Sequence, residues 1–240
     1  MMDKKISKRH SFKNFILFFK LILPLSWLLL LTGCAKGPFP VAGPGGGAAR
    51  YLAFTLTVNR AGVIDRSGIG YYAILFNSRN EPIDVTIDDP NTSTYTDKII
   101  FNGVNFLWYH RQENVPPPGY TWFPAGSVNN NGSVSSDGRS LIIKFNINDS
   151  STLLAQYLQS SNFTVHVVTL DNQGRPLDTI GPTLDNSIQY TMKVNKLTGY
   201  ITGDPIYPND NENDYVTRPD LPADYPYKNF DIVTFQITTQ

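Results

Sequence analysis

The sequence predicts an all-β fold: a single antiparallel β-sandwich of about seven to ten strands, Ig-like or jelly-roll-like, with one short helix. Three observations carry this. From Tyr51 onward the chain favours Val, Ile, Thr, Phe and Tyr in short runs, several runs alternate apolar with polar residues, and turn-forming clusters separate them. Apolar residues make up 41% of the 240-residue chain and charged ones 17%, a balance that supplies a core and argues against disorder.

In chain order, the predicted strands are Tyr51–Val58, Tyr71–Asn77, Ile99–His110, Leu141–Ile147, Phe163–Leu170, Ile188–Val194 and Phe230–Thr238. Leu141, Ile143, Phe145 and Ile147 share one face of their run, with Lys144 and Asn146 on the other. Val233, Phe235 and Ile237 likewise oppose Thr234, Gln236 and Thr238. One wet and one dry face is the pattern of an antiparallel sheet. Asn80-Glu81-Pro82, Asn131-Gly132, Asp137-Gly138 and Asn172-Gln173-Gly174 supply turns. A helix is predicted over Ser151–Gln159, capped by Asp149 or Ser150, because Leu153, Leu154, Tyr157 and Leu158 fall at helical spacing. Gly199–Asn229, rich in Pro and Asp, exceeds an ordinary loop and is predicted to wrap the domain before the last strand.

Before Tyr51 the chain changes character. Met1 to Lys13 is basic, and Phe15–Leu31 is apolar apart from Lys20 and Ser26. A charged start, a short apolar core and small residues before a cut mark an export signal. Leu31-Thr32-Gly33-Cys34 resembles the lipobox of bacterial lipoproteins at every position. That resemblance implies cleavage before Cys34, diacylation of its sulfur and anchorage to a membrane. An uncleaved spanning helix is the alternative, but Lys20 and Pro24 interrupt a segment already short for a bilayer. Ala35, where Gram-negative lipoproteins kept at the inner membrane commonly carry Asp, implies the outer membrane in such a cell and otherwise the outer face of the plasma membrane. The division expected is therefore a signal peptide over 1–33, a tether over 34–49 and one sandwich over 50–240. Residues 35–49 hold five Gly and three Pro, a spacer with no means of packing a core. Its end-to-end distance is roughly 20–25 Å.

Charge and cysteine content exclude several functions. Beyond residue 33, 14 of the 20 basic and 19 of the 20 acidic residues remain, a net of −5, which is no footprint for nucleic acid. Cys34, the single cysteine, excludes an internal disulfide and a Cys-based zinc site. Gly68-Ile69-Gly70-Tyr71-Tyr72-Ala73 matches a dinucleotide fingerprint in letters only, since a strand rather than a helix is predicted to follow the glycines. Of the histidines only His110 and His166 lie beyond the leader, and no G-x-S-x-G elbow accompanies them. His166 is expected on a solvent face or between strands. Asn91, Asn131, Asn148 and Asn162 head Asn-x-Ser/Thr triplets and are read as turn residues.

Two features point to ligands. Val104, Phe106 and Trp108 share a strand face and are expected in the core, whereas Tyr120, Trp122 and Phe123 sit in Pro/Gly context after Pro116-Pro117-Pro118. Aromatic rings presented on a stiff backbone stack on sugars or anchor protein partners. Asp210, Glu212 and Asp214 alternate along the acidic loop and offer hard oxygens to Ca²⁺. An EF-hand would need Gly and Glu where this chain has Tyr215 and Leu221, so the loop is read as solvated and no metal is assigned, with Ca²⁺ the one cofactor considered. The sequence thus points to a lipid-anchored envelope protein with a non-catalytic binding or structural sandwich. Its partners are the membrane through Cys34 and a glycan or an envelope protein. A glycan-acting envelope hydrolase with paired carboxylates is the rival reading.

Overall fold

The computed structural model describes residues 50–240 apart from 90–91, 114–118, 150–151, 159, 182, 197–198 and 201–209. The leader, Cys34, the tether, Asn91 and Pro116–Pro118 lie outside the described residues. Two antiparallel sheets face each other. The smaller has the order β12 (Ile232–Thr239), β1 (Tyr51–Val58), β7 (Ser140–Asn146), β6 (Gly132–Val134). The larger runs β11 (Gly199–Tyr200), β10 (Met192–Asn195), β8 (Asn162–Asp171), β2 (Gly70–Asn77), β3 (Asp97–Phe101), β4 (Phe106–Glu113), β5 (Tyr120–Ser127). A further strand, β9 (Pro176–Thr179), pairs with β8 beyond the end of β10. This is the β-sandwich that the sequence predicts, with more strands than its patterning picks out.

The core lies between the sheets. Leu52, Phe54, Leu56, Leu141, Ile143, Phe145 and Phe235 project from the small sheet, as the alternation of β1, β7 and β12 requires. They meet Tyr72, Ile74, Phe76, Ile99, Trp108, Phe163 and Val165 of the large one. Phe54 meets Phe76 edge-on at 5.4 Å, Phe76 stacks on Trp108 at 5.5 Å, and Trp108 meets Phe145 edge-on at 5.5 Å. Each such pair adds about 0.5–1.5 kcal/mol beyond area burial.

The outer face of β2 and β8 is covered too. Ile83, Val85 and Tyr95, from the β2–β3 connection, pack on Ala73, Leu75, Val168 and Leu170 as a second small core. The connection is tied to a 3₁₀ helix over Leu184–Tyr190 and the residue after it: Val85 N–H donates to Ser187 Oγ at 3.2 Å and Ile83 N–H to Thr191 Oγ1 at 2.9 Å. Burial on both faces explains why these two strands read as near-continuous apolar runs.

Four local expectations change. The run Ile99–His110 is two strands, because Gly103, with φ +91, turns the chain and Asn105 N–H donates to Asn102 Oδ1 at 2.8 Å. Val104 therefore sits at a hairpin tip, 74% exposed, while Phe106 and Trp108 are core as expected. Ile188 belongs to the 3₁₀ helix, and of its predicted run only Met192–Val194 is strand, which continues to Asn195. The helix α1 is shorter, Leu153–Tyr157, and its cap is Thr152, whose Oγ1 accepts from Ala155 N–H at 3.2 Å. The chain leaves the helix at Leu158, which is buried.

Beyond residue 209, the segment leading to β12 wraps the domain as expected. Val216 N–H donates to Leu177 O at 2.7 Å, Arg218 Nη2 to Pro176 O at 2.6 Å and Tyr225 Oη to Ile69 O at 3.1 Å. Among the described residues, no helix is long and apolar enough to cross a membrane.

Candidate functional site

The wrap delivers acidic groups to one buried point. Asp178 lies in β9, Asp231 immediately precedes β12, and Asp210 and Asp214 flank a turn at Glu212–Asn213. Asn213 has φ +73, a left-handed conformation that Asn tolerates, and its N–H donates to Asp231 Oδ2 at 2.8 Å. Carboxylate oxygens of Asp178, Asp214 and Asp231 all lie within 4.8 Å of one another. The turn breaks the simple alternation expected of Asp210, Glu212 and Asp214. Glu212 stands exposed at its tip, while Asp210 and Asp214 are half-buried at its base. The solvated-loop reading therefore fails for two of its three acids.

Backbone and amide groups fix the cluster. Asn59 Nδ2 donates to Asp231 Oδ2 at 2.6 Å, Ile232 N–H to Asp178 Oδ2 at 2.5 Å and Gly181 N–H to Asp210 Oδ2 at 2.6 Å. Asp210 N–H in turn donates to Val233 O at 2.8 Å. Val233 is the extra residue at the β1–β12 register shift, so a bulge helps to hold the loop.

Charge compensation is remote, Lys228 acting on Asp231 only through space. Among the described residues no Lys, Arg or His comes within ion-pair range of these four carboxylates. Asp231 Oδ1 is buried and takes no hydrogen bond among the described residues, while the buried Asp214 carboxyl lies in hydrogen-bonding reach of Asp210 and of its own backbone N–H. Burial raises all four carboxyl groups above their usual range, and for Asp214 burial with the neighbouring Asp210 charge lifts the value to about 7.

The aromatic candidates separate. Tyr120–Ser127 is a strand, paired only with β4 on the edge of the large sheet, so its side chains alternate. Tyr120 and Trp122 share the outer face with Arg111, whereas Phe123, 47% exposed, lies on the opposite face across from His110. Trp122 is half-buried, stacks on Tyr95 at 5.3 Å and has Lys98 Nζ 4.5 Å from its ring centre. The Arg111 guanidinium lies 4.5 Å from the Tyr120 ring centre. Of the three candidate aromatics, two rings are thus already engaged by neighbours and the third is turned to the opposite face. Beside them, Val85, Asp88, Tyr95 and Lys98 help line a recess of about 30 Å³, room for a water molecule rather than a sugar ring.

Both histidines are structurally committed. His166 is fully buried beneath the 3₁₀ helix rather than on a solvent face, and its Nδ1 accepts from Val167 N–H at 2.9 Å. Desolvation pushes its pKa down to about 3, against the opposing pull of a hydrogen bond to the Ser187 backbone. His110 Nδ1 lies 2.8 Å from buried Asp97 Oδ1, which also accepts from Trp108 Nε1 at 3.0 Å. This is a His–acid pair, but among the described residues no hydroxyl or thiol is hydrogen-bonded to His110.

Asp178 and Asp231 escaped the sequence reading because they lie 53 residues apart in number and no local spacing joins them. A signal existed nonetheless. Each aspartate sits among strand-forming residues, Leu177-Asp178-Thr179-Ile180 and Phe230-Asp231-Ile232-Val233, where an unpaired acid is out of place. Compared with protein-family models, curated proteins and solved structures, the chain matches none.

Proposed function

We propose that the chain is a lipid-anchored cell-envelope protein whose β-sandwich serves as a non-catalytic binding or structural module, held clear of the membrane by a Gly/Pro tether. The carrying observation is the order of segments: the lipobox-like Leu31-Thr32-Gly33-Cys34, fifteen spacer residues, and then a fold whose first strand starts at Tyr51. That strand pairs with β12 on one side and β7 on the other, so tension on the tether meets the middle of a sheet. Two or three acyl chains on Cys34 would hold the protein durably, since each buried methylene contributes about 0.8 kcal/mol. The outer membrane is the proposed address in a Gram-negative cell, and the outer face of the plasma membrane in any other.

Glycan binding is the sharper form of this reading. It is supported by Tyr120 and Trp122 sharing the outer face of an edge strand, beside Lys98 and Arg111. The rival, a glycan hydrolase, is less well supported, because two of the three carboxylates that converge, Asp178 and Asp231, are 4% and 0% exposed, too enclosed to flank a sugar ring.

The test is Cys34→Ser expressed in a bacterial host with radiolabelled palmitate. Loss of label and accumulation of an uncleaved precursor is the expected result. A variant still processed and still labelled overturns the proposal. For the sharper form, a glycan array probed with the intact chain and with Trp122→Ala should show binding that the substitution removes.

A further inference from the structure

We infer that Asp178, Asp214 and Asp231 bind one divalent cation, Ca²⁺, which staples the C-terminal wrap to β9 and to the start of β12. Two ligands of one Ca²⁺, each 2.3–2.6 Å from the ion, lie at most about 5 Å apart. The three carboxylate oxygens, within 4.8 Å of one another, already meet that limit. Three acids gathered this closely repel, and taking them out of water adds to the cost unless a positive charge is present.

The second observation is independent of the clustering. Asp231 is fully buried, its Oδ2 is held by Asn59 and Asn213, and its Oδ1 takes no hydrogen bond among the described residues. A buried acceptor is ordinarily satisfied. The two donors on Oδ2 orient the carboxylate and leave its other oxygen for a ligand that is not a hydrogen-bond donor of this chain. Asp214 presents its buried carboxyl from the other side of the turn, beside Asp210 and its own backbone N–H.

The donor set selects the ion. All three groups are hard oxygens with no His or Cys among them, which suits Ca²⁺, Mg²⁺ or Mn²⁺ rather than zinc or copper. Mg²⁺ demands near-octahedral geometry at shorter distances and keeps several waters, whereas Ca²⁺ tolerates irregular cages. Donors drawn from a strand, a turn and a strand entry, two of them buried, fit the irregular ion. Hydrogen bonds from Val216 to Leu177 and from Asp210 to Val233 join the same segments. The ion therefore adds an ionic link to a wrap that hydrogen bonds tie at this point, among them Asn213 N–H to Asp231 and Gly181 N–H to Asp210. The alternative occupant is a proton shared between Asp214 and Asp210, consistent with the raised value of Asp214.

The experiment uses the full-length chain in detergent, stripped with EDTA and dialysed against ⁴⁵Ca²⁺. About one ion per chain is expected, with a rise in melting temperature of about 5 °C or more at a hundredfold excess over Kd. Asp214→Asn and Asp231→Asn, checked for folding by circular dichroism, should each weaken binding at least tenfold, and Glu212→Gln should not. If those variants fail to fold, Tb³⁺ luminescence on the unaltered chain, displaced by Ca²⁺ at one site, supports the inference. Absence of binding at millimolar Ca²⁺ with an unmoved melting temperature overturns it in favour of the shared proton. Binding lost in Glu212→Gln but kept in both Asn variants overturns it in favour of a surface loop. A shift with Mg²⁺ or Mn²⁺ but none with Ca²⁺ overturns the choice of ion.

Discussion

Gly70→Ala probes the joint between the sandwich and the carboxylate cluster. A methyl group on Gly70 would lie 2.5 Å from Phe230 Cε1 and 2.7 Å from Leu170 O. Carbon atoms pack at about 3.5–4.0 Å, so the Phe230 ring would have to retreat by about 1 Å. It has little room, being fully buried and stacked between Tyr72 at 5.3 Å and Tyr225 at 5.6 Å. Leu170 O belongs to the paired strand β8 and moves only with the sheet. Overpacking of this kind costs about 1–3 kcal/mol. Gly70 is not in the left-handed region, so Ala also stiffens the unfolded chain and returns about 0.4–1 kcal/mol. The net expected loss is about 1–2 kcal/mol, a melting temperature lower by about 2–8 °C. Urea unfolding followed by tryptophan fluorescence measures it, with a lower midpoint and an unchanged slope. Because Asp231 follows Phe230, Ca²⁺ affinity should fall in the same variant. Adding Phe230→Leu gives the ring room, and the double variant should recover at least about 0.5 kcal/mol relative to additivity. A Gly70→Ala protein as stable as the parent, with additive behaviour in the pair, would refute the close-approach argument.

Other consequences are simpler to state. His166 is neutral in the folded protein down to about pH 3, whereas the unfolded chain takes up that proton near the ordinary histidine value of 6.5. Its contribution is thus present above about pH 6.5 and lost on acidification, at about 1.4 kcal/mol per pH unit. The raised carboxyl groups of the cluster act in the opposite sense, so the comparison is with His166→Gln: its stability, measured by urea unfolding between pH 7.5 and 5, should fall less than the parent's, and equal slopes would rule the histidine out. Thr152→Ala removes the cap on α1 and should cost about 1 kcal/mol by thermal melting, with Thr152→Ser retaining most of it. Trp108→Phe keeps a ring in the core but withdraws a donor from fully buried Asp97, and should cost about 1–3 kcal/mol, read as a lower urea midpoint.

What the sequence determined by itself was whatever depends on neighbours along the chain. The strands β1, β7 and β12 were legible because each keeps one face in the core and one in water, so their two-residue period is written into consecutive letters. The basic start, the apolar run and the Leu31–Cys34 ending, which carry the proposed export signal, are local patterns of the same kind. Short or irregular elements were not: β9 has four residues, β6 three, and β5 carries Pro124 on an edge where a ladder donor can be spared. Only the tertiary structure decided that Tyr120 and Phe123 face opposite ways, because an edge pairing with β4 converts a proline-flanked loop into a strand. Only the tertiary structure likewise brought Asp178, Asp214 and Asp231 together, since β9, the turn at Glu212–Asn213 and the entry to β12 meet through long-range pairing. Local pattern records which face of an element is dry; the meeting of distant acids depends on where the sheets place those elements.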